Sequence, residues 1–139
     1  MTTEDTVFTK IIRREIPAHI VYEDTDTLAF LDINPNNPGH TLVIPKKPVR
    51  NIFDADDATL AALMHTIRKI TPAIQDAVGA DGVNINSNHG AAAGQEVFYL
   101  HFHIIPRFST DGYKHTWGHT TYKEGEASLL AQKIAAQLA

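Results

Sequence analysis

The 139-residue chain is about one domain long, and its 43% hydrophobic and 20% charged residues are ordinary for a globular protein with its own core. A net charge of −4 argues against general binding to nucleic-acid backbones or anionic membranes, while leaving room for a local pocket that takes one phosphate. The absence of cysteine excludes disulfides and thiolate metal sites. "MTTEDTVFTKII" lacks the features of a signal peptide, and no apolar run reaches the ~20 residues of a membrane helix, so a cytoplasmic address is expected.

Residues 7–14, VFTKIIRR, read as a short helix with Phe8, Ile11 and Ile12 inward, ended by Pro17. "HIVYED" (19–24) and "TLAFLDI" (27–33) read as two strands around a polar turn at Asp24–Asp26. "NPNNPG" (34–39) is a dense turn signal, and "HTLVIPKK" (40–47) a third strand whose inner apolar run suggests burial on both faces. A long helix starts near Asp54, taken as N-cap, with Asp56 and Asp57 in the first turn. Leu60, Leu63, Met64, Ile67, Ile70 and Ile74 form its apolar stripe, and Pro72 is expected to kink or split it. "GADG" (79–82) closes the helix, "VNINSN" (83–88) alternates as a strand, and "HGAAAGQ" (89–95) is a glycine-bearing loop. A strand over 97–105 is stopped by Pro106. Residues 107–124 are irregular, and "EASLLAQKIAAQLA" (126–139) is an amphipathic helix. With no repeat and no linker, residues 1–139 read as one α+β domain: an antiparallel sheet of about five strands with the long helix and the C-terminal helix packed on it.

The segment "EVFYLHFHIIPR" (96–107) carries the chemistry. Side chains two apart on a strand share a face, with Cα atoms roughly 6.5 Å apart. Tyr99, His101 and His103 therefore form one row, and Leu100, Phe102 and Ile104 face the core. A row of imidazoles suits a metal, a proton relay, or attack by one ring on an electrophile while a neighbour holds the oxygens. The bland alternative is a half-exposed strand that happens to carry histidines. The "GAAAGQ" loop just before it tips the balance, because its backbone N–H groups can converge on a phosphate oxygen, with the Asn88 and Gln95 amides beside it. His40, at the start of the third strand, is placed to support the row.

At this point the sequence resembles the histidine-triad (HIT) family, close to its Hint branch of nucleotide hydrolases. The resemblance runs from "TVFTKIIRREIPAHIVYED" through "AFLDINPNNPGHTLVIPKK" to "VNINSNHGAAAGQEVFYLHFHIIPR". The specific stretch is the last, since the family signature alternates three histidines with apolar residues; Tyr99 stands at the first histidine position. The resemblance implies that His101 is the nucleophile and forms a nucleotidyl-histidine that water hydrolyses. It implies that His103 contacts phosphate oxygens or the bridging atom. Gln95, Glu96 and Val97 then line the phosphate, Glu96 and Val97 through backbone groups, and Asn88 offers an amide. Asp32 matches the acceptor of the ribose hydroxyls, and Phe8, Ile11, Phe30 and Ile33 the apolar slot for a purine base; the same four also read as ordinary core. No cofactor and no metal are expected, nor nucleic acid or membrane as a partner, and a homodimer is. Some relatives hold a structural zinc at positions that match Thr6, Thr9, Pro48 and Tyr99 here, none of them a good zinc ligand.

The remaining histidines divide into three groups. His115 and His119, four apart in "KHTWGH", are read as a surface loop rather than a metal pair, with Trp117 a residue of interest near the site or across a dimer. His89 sits at the pocket rim, while His19 and His65 are solvated. Two rival readings stay open: a nucleotide- or protein-binding module of the same fold with little turnover, and a metal-binding protein using His101 and His103. The leaving group is equally open, since a dinucleoside polyphosphate and an amine-linked nucleotide present the same α-phosphate.

Overall fold

Thr6 opens helix α1 (Val7–Ile12) with a reciprocal cap: its hydroxyl accepts from the N–H groups of Phe8 and Thr9, and the Thr9 hydroxyl accepts from the Thr6 N–H. In the computed structural model, which describes residues 5–114 and 117–139, α1 stops short of the expected residue 14. Arg14 turns out of the helix at a φ of 63°, before Pro17 is reached.

Five strands follow: β1 (Ile20–Glu23), β2 (Thr27–Leu31), β3 (Thr41–Pro45), β4 (Gly82–Asn86) and β5 (Phe102–Arg107). They form one antiparallel sheet in the spatial order β1-β2-β3-β5-β4, as an α+β reading requires. Central β3 is buried along all five residues, the outcome its unbroken apolar run implied. Alternation along β2 and β3 splits the core into two layers. Ala29 and Val43 join Leu63, Ile67, Ile70 and Ile74 of the long helix α2 (Asp57–Val78) on one side. Leu28, Phe30, Leu42 and Ile44 meet Phe8 and Ile11 of α1 on the other.

Several expectations are corrected. The N-cap of α2 is Asp56, not Asp54: its carboxylate accepts from the Thr59 N–H at 2.8 Å in an extended backbone, whereas Asp54 belongs to a turn that its N–H closes on the Asn51 carbonyl. Pro72 does not split α2, which continues to Val78. Pro72 and Arg68 lie on the exposed face, so the carbonyl deprived of its N–H partner meets solvent. Met64 is 50% exposed and lies outside the buried stripe.

β5 begins at Phe102 rather than 97 and runs through Pro106. Upstream, the chain leaves the sheet because the Leu100 N–H is taken by the Val49 carbonyl at 2.8 Å, which draws residues 99–101 toward the segment after β3. Pro106 is tolerated because β3 pairs no further than Ile104, and the Pro106 carbonyl on that side is met by the Asn37 amide at 2.9 Å. The C-terminal helix α3 (Glu126–Leu138) forms as expected but does not pack on the sheet. None of its residues is buried, with Leu129 69% and Ile134 56% exposed.

Candidate active site

The turn "NPNNPG" brings Asp32 and His40 together: the Asp32 N–H donates to the His40 carbonyl at 2.9 Å, extending the β2–β3 ladder by one rung. Gly39 permits this at a φ of 91°, where a Cβ would stand 3.0 Å from Val78 and 3.1 Å from Pro106. β5 then lays His103 opposite Leu42 of β3 and Asn86 of β4. His101 immediately precedes the strand, with its carbonyl accepting from the Ser87 hydroxyl at 2.7 Å. The rings stand in series, with centroids 5.2 Å apart for His40 and His103, 5.1 Å for His103 and His101, and 5.0 Å for His101 and Phe8.

Tyr99, His101 and His103 are not one strand row, since residue 99 lies in the turn before β5. Tyr99 still ends on the same side: its ring meets Phe8 at 6.0 Å, and it is completely buried. Leu100 and Ile104 enter the opposite core layer with Phe102 packed against it, as the alternation requires.

Hydrogen bonds decide where each imidazole carries its proton. The Asn36 N–H donates to His40 Nδ1 at 2.9 Å, so a neutral His40 bears its hydrogen on Nε2. That Nε2 lies 2.9 Å from His103 Nδ1, which must accept, leaving the His103 hydrogen on Nε2. His101 Nδ1 is 2.6 Å from the Tyr99 carbonyl and must donate, so its Nε2 holds a lone pair. Neither His101 Nε2 nor His103 Nε2 has a hydrogen-bond partner among the described residues. A nucleophilic nitrogen and an N–H donor therefore stand side by side.

Burial favours the neutral form of all three rings. His103 is pushed down to about 4 by burial and by the neighbouring His101 and His40. His101 lies below its ordinary value because it is buried, against the opposing pull of the Tyr99 carbonyl and the Asp32 carboxylate. His40 is lowered by burial, with Asp32 resisting; the Asp32 carboxylate is 3.7 Å from His40 Nε2.

Asp32, His40 and His103 offer ligand atoms within 4.8 Å of one another, a spacing a cation can span. The proton inventory opposes a metal there. The Asn36 N–H occupies the Nδ1 lone pair of His40, so the nitrogen facing the cluster carries hydrogen and has no pair to give.

The loop before β5 is organised by Gln95, which is buried. Its side chain accepts from the Gly90 N–H at 2.8 Å and donates to the Arg50 carbonyl at 2.8 Å and the Val97 carbonyl at 3.2 Å. The N–H groups of Ala93, Gly94 and Gln95 close turns on Gly90 and Ala91, so most of "GAAAGQ" is satisfied internally. Those of Glu96 and Val97 have no partner among the described residues, nor does the Asn88 amide. Phe8, Ile11 and Phe30 are buried in one cluster with Tyr99, and Val97 packs against it. Ile33 stands outside that cluster and is 80% exposed.

Sequence reasoning passed over Asn36, Ser87 and Asn51; the Asn51 amide lies 3.4 Å from the Gln95 carbonyl oxygen. Asn36 acts through its backbone, which residue type does not advertise. His89 accepts from the Ile52 N–H at 3.0 Å, which ties the loop to the segment before α2. His115 lies outside the described residues; His119 and Trp117 are exposed in an irregular stretch.

A family model described as the HIT domain matches residues 13–110. The chain is 42% identical over 139 residues to the protein Hit of Bacillus subtilis, covering 98% of this chain and 96% of that one. It is 44% identical over 107 residues to an adenylylsulfatase of Arabidopsis thaliana, covering 76% of this chain and 54% of that protein. A crystal structure of a Streptococcus mutans protein superposes with a TM-score of 0.92 at 40% identity, covering 99% of this chain and 88% of that one. The family match spans the sheet, α2 and every imidazole of the site, and the chain belongs to the HIT family.

Proposed function

We propose that the protein is a metal-independent hydrolase of nucleotide conjugates, of the Hint-like branch, acting through a nucleotidyl-histidine at His101. The observation that carries this reading is the pair of ring nitrogens without a partner among the described residues: a lone pair on His101 Nε2 and an N–H on His103 Nε2. His101 Nε2 attacks the α-phosphorus, the bond to the leaving group breaks, and a phosphorus–nitrogen bond replaces it. Water then cleaves that bond, returning the nucleotide and free His101. The His103 N–H and the backbone N–H groups of Glu96 and Val97 meet the phosphate oxygens, with the Asn88 amide beside them and Gln95 fixing the loop. His40 hands His103 its hydrogen-bond polarity. Asp32 receives the ribose hydroxyls, and Phe8, Ile11, Phe30 and Ile33 border the purine base.

Purine nucleoside 5′-phosphoramidates are the proposed substrates, since the site asks only for one α-phosphate and a leaving group. The adenylylsulfatase among the relatives supports nucleotidyl chemistry of this kind. A cytoplasmic address and a homodimer belong to the same proposal; α3, with no buried residue, supports a second copy as its cover. The alternative is a nucleotide- or protein-binding module with little turnover, which the tyrosine at the first triad position favours. Incubation with adenosine 5′-phosphoramidate, with and without EDTA and beside a dinucleoside polyphosphate, separates the two. Chelator-insensitive turnover supports the hydrolase, and tight nucleotide binding without turnover supports the module.

A further inference from the structure

Residue 99 is held at both ends. Its backbone carbonyl accepts from His101 Nδ1 at 2.6 Å, and its phenol donates to the Pro45 carbonyl at 2.5 Å, where β3 ends. Between these two bonds the ring stands against Phe8, which also touches His101. The next residue is anchored to the same region, since the Leu100 N–H donates to the Val49 carbonyl. The segment that aims His101 thus lies outside the sheet's ladders and takes its position from two hydrogen bonds, one to the last residue of β3 and one to the chain just after it.

We infer that Tyr99 is a positioning residue whose buried phenol, bonded to the Pro45 carbonyl, holds the residue 99 carbonyl on His101 Nδ1 and so keeps the His101 lone pair on Nε2. The inference rests on the nucleophile reading above. Its physical basis is that an imidazole exchanges tautomers unless one nitrogen is given a fixed partner, and the tautomer with hydrogen on Nδ1 needs that carbonyl. A phenol buried this deeply is costly unless it finds an acceptor, so its hydroxyl has one strongly preferred place. Burial raises the phenol well above its ordinary range, so it remains a donor at any pH the fold survives. The brace therefore does not titrate while the histidines do.

The test is imidazole nitrogen NMR on His101 in the wild type, in Tyr99→Phe and in Tyr99→His, alongside steady-state kinetics and thermal melts. Phenylalanine keeps the ring and loses the donor; histidine removes the phenol altogether. In both variants the Nδ1–H form of His101 is expected to lose population. The kcat is expected to fall three- to tenfold with KM unchanged, and the acid limb of the kcat profile to move. Should Tyr99→Phe fold poorly, Tyr99→His carries the same readout. Variants that keep the Nδ1–H tautomer and the wild-type pH profile while only the melting temperature drops overturn the inference, because Tyr99 would then be filler. A tautomer shift in a protein without turnover supports the positioning role and removes the hydrolase reading instead.

Discussion

The His101 proton sits on Nδ1 because a carbonyl is placed 2.6 Å from it, and the lone pair this leaves on Nε2 is the whole of the proposed nucleophile. Replacing His101 by Asn removes that lone pair and leaves Asp32 and the apolar residues proposed to hold the ribose and base unchanged. We expect kcat to fall by several orders of magnitude while nucleotide affinity, measured by calorimetry, stays within a few fold. Near-normal turnover would reassign the nucleophile. The three rings also make stability pH-dependent. His103 binds its proton near pH 4 in the folded chain and near 6.5 when unfolded, so between those values the unfolded chain carries the extra proton. Stability is full above 6.5 and drains away as pH falls toward 4, with His101 and His40 adding in the same direction. Melting temperatures from pH 7 to 4.5 should fall, and His103→Asn should flatten that slope; a flat wild-type profile contradicts the burial of neutral imidazoles.

At the level of the element, α2 shows how small the difference between neighbouring carboxylates can look in sequence and how large it is in structure. Asp56 caps the helix and also pairs with Lys47 at 2.8 Å, which places its carboxyl below the usual range, whereas Asp54 caps nothing. Asp56→Ala should lower the denaturant midpoint, while Asp54→Ala should leave it close to that of the wild type. Ile67 faces the sheet from the middle of α2 and is almost fully buried, so Ile67→Ala should cost about 2–5 kcal/mol. Met64→Ala, half exposed on the same helix, should cost far less. The periodicity of the stripe was legible in the sequence, but its edge was not. Leu60 and Met64 have the right spacing, and only the angle at which α2 lies on the sheet decides which of them is covered.

At the scale of the whole molecule, no residue of α3 is buried among the described residues. A 13-residue helix with no buried residue is at or below the length that holds its shape alone in water, so something outside this chain should cover Leu129, Leu130 and Ile134. A second copy is the proposed cover. Light scattering should give about twice the 15.3 kDa monomer mass at micromolar concentration, and removal of residues 126–139 should shift the mass toward the monomer. A full-length monomer at that concentration would overturn the dimer.

Hydrophobic period, turn residues and the alternation around His101 and His103 are properties of residue type at a given spacing. They were enough to lay out five strands and a long helix in an α+β arrangement, and the resemblance carried by the residues around His101 and His103 pointed to the family. The tertiary structure decided what depends on backbone groups arriving from elsewhere. β5 starts at Phe102 because Val49 claims the Leu100 N–H; His40 has its proton on Nε2 because the Asn36 N–H reaches Nδ1; Tyr99 is fixed by the Pro45 carbonyl. Every residue offers the same N–H and C=O, apart from proline's missing N–H, so no side-chain pattern announces which of them will meet an imidazole or a phenol. The positions of three protons, on which the proposed chemistry turns, therefore follow only from how the chain closes on itself.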